Sequence, residues 1–450
     1  MIPRRRLLFG GNPITAIINA FKVRVAGDGG TFEAESCLNA TITKLKNINL
    51  YDSASLIVTP NANKSAKFYG VKPTDGSGDL TFSRANSAMR RNSAGLWESV
   101  ASGLPRLHYP VGGGCPSWLF EPQSTCLIPS CNIFTGNTVK TTGITDSPIN
   151  GVTSVRLTKD SAGVQYAVTT YSATIVSATN YAPSLYFKYD GHDIDSSLEF
   201  NNGNDWGKAW KVNIEIRSTG ITIVLQNDCT AVLVAETNGW YRLEVSLTTA
   251  TVTTNTASYL IKAAGANGAS FLVCTSNLTQ TARAIAPIIT TGSNVTKIVD
   301  IATTASKSKL TNTSFTLVMK LKSGFNQSSG NPYLGIEDGF FVDGVYLMSS
   351  STGNGNRWRA NVRRSNVSIE ILADSLGLLI AGQTIVIKVD GSQVKVFLAG
   401  SLITTNTLAG SLPLLPNVYA SAGGMASLLD LFIAVDSAVS DTECVNLSNL

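Results

Sequence analysis

The sequence predicts a mainly β protein: an N-terminal region with one helix, an extended Pro-rich strap, and two antiparallel β-sandwiches. Three observations carry this. The composition is 43% hydrophobic but only 14% charged, the low-charge, amide- and hydroxyl-rich balance usual for β-sandwich and fibre proteins. Short apolar-alternating segments separated by turn residues recur from about residue 133 to the end, with no helical stripe between 133 and 300. The stretch Gly78–Asn132 carries Pro105, Pro110, Pro116, Pro122 and Pro129 among large side chains. Each proline fixes φ and disfavours helix in the residue before it.

Taken in order, residues 1–77 form the first region. Arg4-Arg5-Arg6 neutralises too few phosphates to hold a nucleic acid firmly. The basic start MIPRRRLLFGGNP has an apolar run cut short at Gly10-Gly11-Asn12-Pro13, below the length of a signal-peptide core, so export by that route is not expected. A helix is predicted over about 31–47, with Thr31 as N-cap, Glu33 and Glu35 in the first turn and Lys44 and Lys46 in the last. Ala34, Leu38, Ile42 and Leu45 make its apolar stripe, which needs a partner surface, either within its own domain or on another subunit or docking protein. Ser55–Lys72 reads as two strands around Pro60-Asn61-Ala62-Asn63.

Residues 78–132 are the strap. Phe82, Trp97, Tyr109, Trp118 and Phe120 require it to lie against other structure. Residues 133–302 read as a jelly-roll sandwich of ten candidate strands, among them Ser184–Tyr189, Trp210–Arg217 and Trp240–Ser246. From 303 to 450 the alternation restarts, with a hairpin over Val386–Phe397 turning at Asp390-Gly391. A concanavalin- or laminin-G-like sandwich is expected there. Ser440-Asp441-Thr442-Glu443 predicts a capped terminal helix with Glu443 in the capping-box position.

The strap also carries a resemblance. Phe82-Ser83-Arg84-Ala85, Arg91-Asn92-Ser93-Ala94-Gly95-Leu96, Leu104-Pro105-Arg106, Tyr109, Gly112-Gly113 and Leu119 with Glu121-Pro122-Gln123 and Thr125 resemble, in order, a module of tailed-bacteriophage structural proteins. The resemblance is greatest to fibre proteins, head or tail, of phages infecting gut Bacteroidales, including the crAss-like group. Asn238-Gly239-Trp240-Tyr241-Arg242 and Ala282–Asp300 resemble segments of the lectin-like domain that follows in those proteins, so the match spans roughly residues 50–300. Departures are Met89, His108 in place of an acid, and Ser124 and Cys126 in place of arginine and asparagine. The resemblance implies a virion protein assembled in the host cytoplasm, attached by residues 1–77 to capsid or tail proteins. It also implies a homo-oligomer, most simply a trimer, displaying lectin-like domains to host-surface or mucus glycans.

The net charge of +5 points to no nucleic-acid partner, and no run approaches the ~18 apolar residues of a membrane span. Seven cysteines and two histidines are scattered without zinc spacing, so no metal is expected, and no cofactor fingerprint appears. Cys115, Cys126 and Cys131 read as buried free thiols. Sugar sites stack an aromatic on a pyranose among amides and carboxylates. Asn202, Asn204, Asp205 and Trp206 in a polar turn are the candidate glycan-binding residues, with the alternative that Trp206 folds back on the sandwich. Trp210 belongs to the core face with Val212, Ile214 and Ile216. Arg357, Arg359 and Arg363, with Asn361, are placed outward opposite Trp358, Ala360 and Val362. There they would meet an acidic ligand or a partner subunit, or simply solvent. No catalytic set is expected. The one dense titratable group, Asp190, His192, Asp193 and Asp195, reads as a solvated turn. A glycan-depolymerising spike using paired acids is the alternative function, and a free bacterial carbohydrate-binding protein a third.

Overall fold

Strands whose residues are apolar at every position, rather than at every second one, must be covered on both faces. Phe315–Asn326 contains such a run, Leu317-Val318-Met319. Leu317 and Met319 face one core while Val318, between them, faces another. The computed structural model describes residues 13–163, 165–172, 176–200, 210–249, 256–281, 284–304, 308–326, 332–338, 343–349, 358–365, 367–370, 382–421 and 425–450. Over these the protein is mainly β, with several antiparallel sheets and four helices.

Two groups of sheets divide the chain. In the first, Met425–Val435 is central. It pairs with Phe315–Asn326, with Ala54–Lys64 (Ile57 opposite Ile433) and with Ser117–Phe120 (Leu119 opposite Leu428). A facing set joins Ile301–Thr304, Asn417–Ser421, Pro332–Glu337, Gly344–Ser349 and Trp358–Arg364. Leu80–Ser83 touches both sets, through Lys67–Lys72 and Ile301–Thr304. The second group comes from residues between 124 and 297. One sheet of six strands runs in the order Thr135–Gly136, Gln165–Ser172, Thr256–Ala264, Ile194–Phe200, Lys211–Arg217, Gly220–Asn227. It faces a sheet built on Ser270–Thr279, Asn180–Tyr189 and Trp240–Thr248 across a shared core. Strands from residues 54–83 and 107–120 thus share sheets with those from 301–435, and the second group is inserted between them in the sequence, while Ala88–Arg91 and Trp97–Val100 pair with each other. The expected unit 303–450 shares its sheets with strands from the first 120 residues.

A helical layer covers the outer face of the first sheet. Helix α1, Pro13–Gly27, buries Ile18, Phe21 and Val25, a stripe the sequence reading did not single out. Helix α2, Glu35–Asn47, buries Leu38, Ile42 and Leu45 as expected. Helix α3, Leu50–Ser53, follows, and α4, Asp441–Leu447, joins the same core through Cys444 and Leu447. The start of α2 differs from expectation. Thr31-Phe32 is taken up in pairing with Ala62-Asn63, and Ala34, left-handed at φ 53°, precedes the helix without a side-chain cap. The expected break at Pro60–Asn63 is also absent. Ala54–Lys64 continues through it with an irregular register against Lys67–Lys72, which accommodates the proline. Asn61, rather than turning the chain, donates to the carbonyls of Glu33 and Ala34.

The capping box of α4 forms as the sequence predicts: Ser440 Oγ accepts from Glu443 N–H, and the Glu443 carboxylate accepts from Ser440 N–H. The hairpin around Gly391 also forms, with Asp390 opposite Gln393. Cys115 corrects the thiol reading, because it is joined to Cys37 of α2 in a disulfide, whereas Cys126 and Cys131 are buried and free.

Candidate functional site

Several charged residues distant in the sequence converge in space. Arg84, Arg106, Glu121, Lys297 and Asp300 form one ionic cluster whose side chains are at most 3% exposed. Arg106 Nη1 lies 2.6 Å from Glu121 Oε2, its Nη2 meets Asp300 Oδ2, and Arg84 Nη1 lies 3.2 Å from Asp300 Oδ1. Lys297 Nζ sits 3.4 Å from Glu121 and 3.7 Å from Asp300. Backbone groups add to the set, while Arg106 Nε and Lys297 Nζ have no hydrogen-bond partner among the described residues. Arg84 donates to the carbonyls of Asn86, Ala101 and Leu104, Arg106 to that of Met89, and the N–H of Ala286 donates to Glu121 Oε1 at 2.6 Å. Burial opposes the charge on Glu121, but Lys297, Arg106 and the Ala286 N–H outweigh it and hold the carboxyl at about 2. Burial lowers the Lys297 ammonium against the pull of the two carboxylates. Charges this deep are tolerated only when paired and hydrogen-bonded, so the cluster locks three chain segments together.

A second joint lies beside it. Arg91 clamps Glu236 with Nη2 2.8 Å from each carboxylate oxygen, and Trp97 Nε1 donates to the same carboxylate at 3.3 Å. The guanidinium lies over the Trp97 ring, 4.7 Å from its centroid. His108, where the resemblance has an acid, accepts the backbone N–H of Arg91 at 3.1 Å through Nδ1. Met89 and Trp97 pack on Tyr186, Trp240 and Leu272, covering the outer face of a sheet in the second group. Tyr109 donates to Glu33 at 2.9 Å. Ser124 and Cys126 are both buried in a strand paired with Val295–Lys297. No exposed contact is available at either position.

The expected site residues fare differently. Asn202, Asn204, Asp205 and Trp206 lie outside the described residues. Their connection joins Phe200 to Trp210, and Trp210 is buried as expected. Arg357 and the side chain of Arg359 also lie outside the described residues. Arg363 is half-buried. Asn361, expected outward, is buried, as is Tyr346 opposite it on the neighbouring strand. Ala360 and Val362 face the core as predicted. The acidic turn is divided between two arginines: Asp190 binds Arg156 and accepts from Ser270, while Asp195 pairs with Arg217. Among the described residues no cluster of three or more His, Cys, Asp or Glu could hold a metal.

One open groove, about 580 Å³, lies on the outer face of the six-stranded sheet. Lys211–Arg217 alternates buried Val212, Ile214 and Ile216 with half-exposed Lys211, Asn213 and Glu215. The outward set meets Ser197 and Glu199 of Ile194–Phe200 and Lys262 of Thr256–Ala264. Glu199 is held between Lys211 Nζ, at 3.0 Å, and Lys262. Burial raises its pKa, but the two lysines outweigh this and lower it. Sequence reasoning used the apolar half of this alternation for the core and passed over its polar complement. No family model matches the chain, and no curated protein matches it.

Proposed function

We propose that this chain is a structural fibre protein of a tailed-phage particle. The helical layer of α1 and α2 docks on capsid or tail, and the sheets from residues 133–300 project outward to meet host-surface or mucus glycans. In this reading residues 133–302 are a lectin-like jelly roll and residues 303–450 belong to a concanavalin- or laminin-G-like sandwich. Residues 78–132 are the strap that leads from the attachment region into the jelly roll, and the assembled particle holds the chain as a homo-oligomer, most simply a trimer. The supporting observation is that Arg84, Arg106 and Glu121 of the phage-like module meet Lys297 and Asp300, about 180 to 215 residues along the chain, in one sealed cluster. Motif positions that close on each other in this way act as a fold-specifying unit, which is what a module shared among fibre proteins needs. No metal, cofactor or catalytic set is invoked.

The test is composition and activity of particles. Purified particles containing this chain at stoichiometric copy number, with no depolymerisation of host polysaccharide by the isolated protein, support the proposal. Turnover of polysaccharide that disappears on Asp190→Asn or Asp195→Asn would replace it with the depolymerising-spike reading.

A further inference from the structure

We infer that the Cys37–Cys115 disulfide is a reversible redox latch. Low-molecular-weight thiols open it and free the glycine loop 110–116 from the first turn of α2, and oxidation pins the two together again. The exchange itself stands on geometry. Its use, open during assembly in the reducing host cytoplasm and closed on the released particle, rests on the fibre reading.

Access comes first. Cys115 is exposed and Cys37 half-buried, and both line an open hollow of about 250 Å³ between α2 and the strap. The other five cysteines are free, four of them buried. Burial raises all five thiols, those of Cys126 and Cys274 to about 11 and that of Cys444 to about 12. A thiol reacts as its thiolate, so at neutral pH these groups do not compete for the bridge.

The two joined segments are loosely packed. Tyr109 N–H donates to the Arg91 carbonyl, and Ser117 donates to Asp430. Between them the chain passes through Gly112, Gly113 and Gly114, all at positive φ. A Cβ at Gly112 would meet nothing within 4 Å. Cys37 lies in the first turn of α2, which follows left-handed Ala34 without a side-chain cap. The bridge therefore ties an open loop to a helix end, where local opening is easiest. Reduction leaves α2 seated, because Leu38, Ile42 and Leu45 stay in the core and Asn61 keeps its bonds to the carbonyls of Glu33 and Ala34.

Two thiol–disulfide steps balance the exchange. A thiolate attacks Sγ of Cys115, the exposed partner, and the bridge breaks. Cys37 leaves as a thiolate in the first turn of α2, where helix N–H groups favour negative charge. A second thiol attacks the outer sulfur of the mixed disulfide, releasing Cys115 and a low-molecular-weight disulfide. The two protein sulfurs take up the two protons that the attacking thiols lost. The same steps reversed close the latch.

The test equilibrates the full chain with glutathione at graded ratios of reduced to oxidised form, traps free thiols with a maleimide, and follows hydrogen exchange. Millimolar reduced glutathione without denaturant should expose Cys37 and Cys115 together to labelling. Amides of residues 111–115 should then exchange at least tenfold faster, and oxidised glutathione should restore the first state. The double variant Cys37→Ser with Cys115→Ser should exchange fast at every ratio. A bridge that yields only after denaturation would overturn the inference, as would reduction that leaves exchange at 111–115 unchanged. Maleimide added to intact cells and to purified particles tests the use. Free thiols in cells and a closed bridge on particles support it, and a bridge already closed in cells overturns it. Protein absent from particles but responsive to glutathione would remove the fibre reading and leave the latch standing. Protein present on particles with a glutathione-resistant bridge would do the reverse.

Discussion

Replacing Glu121 by glutamine changes one atom type at the centre of the buried cluster. The amide oxygen can still accept from Ala286 N–H, so shape and that hydrogen bond are kept. The charge is lost, and Arg84, Arg106 and Lys297 are left facing Asp300 alone. Two routes give the magnitude. Removing one partner from a buried pair typically destabilises by about 3–5 kcal/mol. Independently, holding the Glu121 carboxyl at about 2 instead of 4.5 corresponds to about 3 kcal/mol of stability. That is roughly a hundredfold in the unfolding equilibrium. The sign follows from the lowered folded-state value: the contribution is complete above about pH 4.5 and disappears as pH falls through about 2. Urea unfolding followed by tryptophan emission, with the buried Trp97, Trp118, Trp210 and Trp240 as reporters, should show the first transition of Glu121→Gln shifted down by about 3 kcal/mol at pH 7. The gap to wild type should narrow steadily below pH 4.5. A difference under about 0.5 kcal/mol at pH 7, the range of ordinary surface substitutions, would refute the role given to the cluster. So would a gap of constant size from pH 7 to pH 3.

Two further perturbations probe the helical layer. Cys37–Cys115 closes a separation of 78 residues, so Cys115→Ser should lower stability by up to about 4.5 kcal/mol by the loop-entropy estimate. A melting temperature that falls on adding dithiothreitol to wild type, and not to the variant, checks this. Ser440→Ala removes the acceptor for Glu443 N–H and should cost about 1 kcal/mol, read as a small drop in the same melt, with Ser440→Asp largely restoring it.

Local patterns told which face of an element is buried, and there the reading was secure. Val212, Ile214 and Ile216 turn inward, Leu38, Ile42 and Leu45 line α2, and Ser440 caps α4 because each depends on neighbours a few residues away. Partnership between distant strands was not legible. Nothing in Ala54–Lys64 marks Met425–Val435 as its neighbour, since alternation specifies burial but not the identity of the covering strand. The same limit hid the Cys37–Cys115 bond and led Pro60–Asn63 to be read as a turn. Arginine is by residue type mostly exposed, so nothing local marked Arg84 and Arg106 as buried. Their burial follows only once Glu121 and Asp300 are seen beside them. The groove was half legible: Lys211, Asn213 and Glu215 stood in the alternation, but Glu199 and Lys262 join them only through strand pairing.

Leu450 lies against the helical layer proposed to dock, its carbonyl oxygen accepting from Lys44 of α2 at 2.7 Å, whereas the turn at Gly191 belongs to the sheets proposed to project. Electron microscopy of particles labelled with gold at one or other position therefore tests the central proposal directly. The proposal predicts label on the particle in both cases, close to its surface at residue 450 and farther out at residue 191. Particles that carry no label, or the two distances reversed, would contradict it.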